Sequence, residues 1–167
     1  SVYDMALYAI VLKIAGRGFD AERVLNTFRN FDDTDIYQKG ANYNPQGGIL
    51  NLIRASRRDD QQSWWYSWDW TVLVGPMVWV GIAAVIVNPG RYRTMAVYAG
   101  DWILRLQDTD GGFRMGPEGQ WHSEGPQYYY NLKSTENNES AIALLDLLFN
   151  LTGDRKYREA ADRASVW

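Results

Sequence analysis

The sequence predicts an all-α protein, an α/α toroid built from helical hairpins, on three observations. The chain repeats itself: Tyr92, Ala96, Ala99 and Trp102 recur as Tyr157, Ala161, Ala164 and Trp167, each pair 65 residues apart without a gap. Such self-similarity marks an array of one supersecondary unit. Helices apolar most of the way round alternate with helices apolar on one stripe, and a helix apolar all round must be covered on all sides. Short turns also alternate with long loops, which gathers the long loops at one end. Buried helices inside, amphipathic helices outside and one decorated rim satisfy all three.

The elements follow in order. Tyr3 to Ala15 forms the first helix, with apolar residues at 6, 7, 10, 11 and 14 and with Ser1 and Asp4 spaced as in a capping box. After the turn Gly16-Arg17-Gly18, the second helix runs from Asp20 to Asn30, with Val24, Leu25 and Phe28 on one stripe. A long connection from Phe31 to Val74 ends in Trp64-Trp65-Tyr66-Ser67-Trp68-Asp69-Trp70. The third helix, Gly75 to Val87, is apolar on every side, and the fourth is amphipathic from Pro89 to Gln107, with proline where a missing N–H does no harm. Asp108 to Lys133 is a second long connection, aromatic and acidic. The fifth helix opens at Ser134-Thr135-Glu136 and reaches Leu151, and the sixth runs from Asp154 to Trp167 with one strongly polar face.

Hairpins at 3–31, 75–107 and 134–167 make one domain over 1–167, about half of an (α/α)6 barrel. The expectation is a partial ring, completed by further hairpins or by another chain, or else left as an open arc. The apolar run Thr71 to Val87 only just reaches the shortest membrane-spanning length of about 17 residues. Gly75 and Pro76 interrupt it, and the equivalent fifth helix carries Asp146, so no membrane span is expected.

A net charge of −3 and a pI near 5.1 give no reason to expect a nucleic-acid partner. There is no cysteine, which excludes disulfides and thiolate metal sites. With a single histidine as well, no metal and no cofactor is expected. The absence of cysteine fits an extracytoplasmic or secreted protein and also many cytoplasmic ones. Eight Trp and eleven Tyr, concentrated in the two long loops, are the outstanding feature.

Several stretches together resemble the six-hairpin glycosidase-like superfamily. They are Gly75-Pro76-Met77-Val78-Trp79, Gly90-Arg91-Tyr92 with Trp102, Leu106-Gln107-Asp108 with Asp110-Gly111-Gly112, Lys133 to Asn138, and Leu151 to Tyr157. The likeness covers most of the chain and extends to Tyr3-Asp4-Met5-Ala6-Leu7. It implies a carbohydrate-active (α/α)6 barrel, in most members a glycoside hydrolase. Where the family's Ser-Thr-Glu signature usually continues His-Asn, this chain has Asn137 in the histidine's place. Gln107 to Phe113 also resembles the repeat of terpenoid cyclases and prenyltransferase β-subunits, which share the toroid.

Glycoside hydrolysis needs two carboxyl groups, about 5 Å apart for retention and roughly 6.5–9.5 Å apart for inversion. Glu136 is the acid candidate because it opens a buried helix at the rim; its structural alternative is a first-turn acid favoured by the helix dipole. Asp69, among four tryptophans, sits where low polarity would raise a carboxyl pKa, or else it caps the third helix or pairs with an arginine. Asp4 is the candidate partner acid or an N-terminal cap. Asp108 and Asp110, in a Gly-rich turn, suit turn formers more than a base or calcium ligands. Trp64, Trp65, Tyr66, Trp68, Trp70, Trp121, Tyr128, Tyr129 and Tyr130 offer flat amphipathic rings for sugar faces, or they plug the barrel mouth. His122, Glu124, Gln127, Asn131 and Asn137 supply polar groups beside them. The reading is a glycoside hydrolase acting on a poly- or oligosaccharide. The alternatives are a non-catalytic sugar-binding or scaffold toroid and a terpenoid-cyclase-like toroid.

Overall fold

The computed structural model describes residues 1–29, 48–49, 71–120 and 122–167. Among these the protein is all-helical, with seven helices and only two isolated β-bridges, Gln107 with Phe113 and Arg114 with Lys133. We number them α1 (Val2–Ile14), α2 (Gly18–Arg29), α3 (Val74–Val87), α4 (Arg93–Leu104), α5 (Tyr128–Asn131), α6 (Thr135–Thr152) and α7 (Arg155–Ala164). None is long and apolar enough to cross a membrane.

Local chemistry explains most of the ends. The Ser1 hydroxyl accepts from the Asp4 N–H and caps α1, while Ser134 and Asp154 cap α6 and α7 in the same way. Gly153 closes α6 in the left-handed conformation at φ 74°, with its N–H bonded to the Phe149 carbonyl. The expected fourth helix is shorter than its sequence pattern at both ends. Asn88 accepts the Arg91 N–H on its side-chain oxygen and the Tyr92 N–H on its carbonyl, so Pro89 to Arg91 form a turn before α4 begins. At the far end Gln107 leaves the helix to donate to the Gly111 and Ala160 carbonyls, both at 2.8 Å.

The helices pack in two rows. α3 lies between α1 and α6, α2 rests on α1 and α3, α4 rests on α3 and α6, and α7 rests on α6. α3 therefore touches four helices, which is why it can be apolar all round. Eleven of its residues are buried, where a Val, Ile or Met side chain contributes about 1.5–3 kcal/mol each. Two glycines let helices pack closely: a Cβ on Gly81 would meet Leu144 at 2.8 Å, and one on Gly100 would meet Leu148 at 2.1 Å.

The repeat has a physical meaning. Tyr92 donates its hydroxyl to the Glu22 carbonyl and the Asn26 side chain on α2, and Tyr157 donates to Asp101 on α4 at 2.8 Å. Each copy thus ties one second-row helix to the one before it. The repeat also extends into the loops. Gly48 lies under the Trp102 ring and Gly112 under the Trp167 ring, and each glycine is followed by a fully buried residue, Ile49 and Phe113.

Candidate functional site

The beginnings of α1, α3 and α6 meet at one end of the molecule. Tyr3, in the first turn of α1, donates its hydroxyl to Glu136 Oε1 in the first turn of α6 at 2.8 Å. The Tyr3 ring tilts against Trp79 of α3, with centroids 5.7 Å apart at 59°. Burial, followed by the bond to Glu136 and its charge, pushes the Tyr3 hydroxyl above its usual pKa. Trp79 Nε1 is buried and makes no hydrogen bond of ordinary geometry, though it lies near enough to the Tyr3 oxygen to offset part of that rise. Asn137 completes the group. Its side-chain oxygen lies over Gly75, where an added Cβ would come within 2.7 Å, so a side chain at 75 would displace the amide. Two half-buried rings, an exposed carboxylate and an amide therefore share one patch.

The loop from 105 to 133 is fastened to the same end. Val74 N–H donates to the Met115 carbonyl at 2.8 Å, and Met115 N–H donates to Leu132 at 2.7 Å. The Gln120 amide, almost fully buried, bonds both the N–H and the carbonyl of Val72. Asn138 on α6 accepts from Phe113 N–H at 2.6 Å and donates to the Phe113 and Ser134 carbonyls. Asp108 and Asp110 belong to this fastening. Lys133 bridges them at 2.9 and 2.6 Å, Arg114 pairs with Asp108 at 2.7 Å, and Trp167 donates its indole N–H to Asp110.

Within the loop the aromatic residues cluster. The His122 ring stacks on Tyr128 with centroids 3.6 Å apart at 3°, and Tyr129 meets both edge-on at 5.2 Å. The Glu124 N–H donates to His122 Nδ1, so in this arrangement the imidazole proton resides on Nε2. The Glu124 side chain itself is exposed. Tyr130 carries Arg114 over its ring at 4.1 Å, and Gln127 donates to Glu118. Among the described residues, no three His, Asp or Glu side chains come together in a way that could hold a metal ion.

The sequence candidates divide accordingly. Glu136 and Asn137 lie together at the shared end; His122, Tyr128 and Tyr129 form a second group. Asp4 is exposed and pairs with the Ser1 hydroxyl and amino terminus, and the Ser1 bond holds its carboxyl below the usual range. It is Tyr3, one residue earlier, that reaches Glu136. Asp69, Trp64, Trp65, Tyr66, Trp68, Trp70 and Trp121 lie outside the described residues. Sequence reasoning overlooked Tyr3 and Asn138. Asn138 did carry a signal, since it occupies the apolar stripe of α6 with Ala141, Leu145 and Leu148.

No protein-family model, curated protein or solved structure matches the chain. The site is therefore read from its own chemistry.

The ion cluster makes a pH prediction. The hydrogen bond from Lys133 comes first among the causes holding Asp108 down, at about 2 against an ordinary 3.8, and it also comes first for Asp110. A depressed carboxyl stabilises the fold above its unfolded value, and that contribution fades as pH falls through the folded value. The loop anchor should thus be intact at pH 4 and above and release only on approach to about pH 2. The Thr109 and Gly112 amide resonances, which report on these carboxylates, should move in that window. Lys133→Met should shift the change upward, and titration of the unsubstituted protein at ordinary carboxyl pH would refute the anchor.

Proposed function

We propose that the chain is an arc of an α/α toroid and that its shared end binds a poly- or oligosaccharide, which it hydrolyses with Glu136 as the acid. The observation that carries the reading is the Tyr3–Trp79–Glu136 group. Partly open aromatic faces suit the apolar faces of a sugar ring, while the carboxylate and the Asn137 amide suit its hydroxyls. The two-row packing, with α1, α3 and α6 side by side, supports a toroidal arc. The second carboxyl group that hydrolysis needs would come from Asp69 or Asp4. A polymeric sugar substrate fits an extracytoplasmic location.

A non-catalytic sugar-binding domain is the second reading. Glu136 is exposed, and its hydrogen-bond partner is a tyrosine rather than a second carboxyl group. An isoprenoid-binding toroid is disfavoured because Glu136 and Asn137 would lose water to an apolar ligand without compensation.

A panel of oligosaccharides separates these readings. For the hydrolase, Glu136→Gln should lower turnover by about 10²–10⁴-fold, the range of a general acid, with binding retained. Trp79→Ala should weaken binding. Binding without turnover in the unsubstituted protein would favour the second reading, and absence of sugar binding would end both.

A further inference from the structure

Glu136 is the second residue of α6, after the cap Ser134. The position that reaches back to close a capping box is the next one, Asn137, so the helix start does not engage the Glu136 carboxylate. It turns instead to α1, where the Tyr3 hydroxyl donates to Oε1 at 2.8 Å. Among the described residues it has no other hydrogen-bond or ion-pair partner. A glutamate side chain on a surface gives up its rotational freedom only where something holds it. Tyr3 is a stiff holder. Its ring lies against Trp79, and Val2 and Ala6 beside it on α1 are fully buried.

The direction of this bond distinguishes the two carboxyl oxygens. Burial, then the bond to Glu136, pushes the Tyr3 hydroxyl above the ordinary tyrosine range, so it stays a donor wherever a carboxyl group titrates. With Oε1 occupied as an acceptor, a proton carried by Glu136 resides on Oε2. A neutral carboxyl group accepts such a bond weakly, and a carboxylate accepts it about twice as strongly. The bond therefore tightens as the proton leaves. An interaction that strengthens on the way to the transition state is the kind that raises turnover.

We propose that Tyr3 is a positioning residue for Glu136, holding Oε1 so that the acid delivers its proton from Oε2. The proposal deepens the hydrolase reading and rests on it. In this step the Oε2–H bond breaks and the proton passes to the glycosidic oxygen. That oxygen's bond to the anomeric carbon breaks, with the electron pair staying on the oxygen. Water supplies the replacing hydroxyl and yields its proton to the second carboxyl group. Tyr3→Phe keeps the ring against Trp79 and removes only the donor. Its effect is read on oligosaccharides of the panel and on the dinitrophenyl glycosides of the same sugars, whose leaving group departs without needing a proton. Tyr3→Phe should lower kcat on the oligosaccharide by about 10–100-fold, the range of one hydrogen bond to a charged group, with KM little changed. On the dinitrophenyl glycoside the loss should stay below about 3-fold, because general acid catalysis is not used there. If the variant is less stable, the ratio of the two rates still reads the role, since unfolded protein lowers both alike. Equal losses on both probes, or none on either, would overturn the role of Tyr3 and leave hydrolysis standing. No cleavage of either probe by the unsubstituted protein would instead remove the hydrolase reading, and the role with it.

Discussion

Replacing Asn138 with leucine is expected to destabilise the protein by about 3 kcal/mol or more, despite the similar size of the two side chains. The amide makes three hydrogen bonds from a position only 2% exposed, two of them to the N–H and carbonyl of Phe113. Leucine would remove the partner and leave the backbone. Each buried donor or acceptor stranded in this way costs about 1–3 kcal/mol, whereas the apolar gain from leucine is partial because the pocket is shaped for an amide. Urea unfolding should show a lower midpoint with an unchanged slope. Hydrogen exchange at the Phe113 amide should rise more than at Leu144 or Leu145, because the loop is the part released. A loss below about 1 kcal/mol would mean that the loop is held by its ion pairs instead.

Gly100→Val is expected to be comparably damaging for the opposite reason. The site already lacks room for one carbon: a Cβ there falls 2.1 Å from Leu148 Cδ1 and 3.2 Å from the Tyr157 ring. Tyr157 is pinned by its bond to Asp101, so α7 cannot simply move away. Overpacking of this kind costs about 1–3 kcal/mol, and more where the neighbours are fixed. Leu148→Ala alone should also destabilise, by about 2–5 kcal/mol through the cavity it leaves. Combined with Gly100→Val it should cost less than the two losses added, since the new side chain enters the space vacated. Strict additivity of the two would show that α4 and α6 do not approach at Gly100.

Much of the fold is legible in the chain because helix-forming signals are local. Ser134 and Asp154 mark helix starts and Gly153 marks an end within a few residues of the groups they satisfy. The apolar character of Val74 to Val87 correctly implies a helix covered on all sides. The limits of α4 are not legible in the same way. Pro89 looks like a first-turn proline, and Asn88 does cap a single turn there, but the backbone leaves the helical region at Tyr92 (φ −108°, ψ 18°) before α4 begins. α5 was equally hidden, since four residues in a tyrosine-rich loop leave no periodic trace.

The candidate site shows the same division. Glu136 is identifiable from its place at the opening of a buried helix. Its partner Tyr3 lies 133 residues away, and no spacing rule connects two residues on different hairpins. The repeated tyrosines were visible as a pattern, but their bonds to α2 and α4 were not. The loop repeat of Gly48 under Trp102 and Gly112 under Trp167 emerged only when the rings were seen above the glycines.

By itself the amino-acid sequence determined that this protein is helical, where most of its helices begin, and which are buried all round and which on one face. Those properties follow from hydrogen bonding and hydrophobic periodicity within a few turns of chain. Only the tertiary structure decided that Tyr3, Trp79 and Glu136 share one end and that Asn138 holds Phe113. Those are contacts between distant segments, chosen by how whole helices pack and not by any residue's near neighbours.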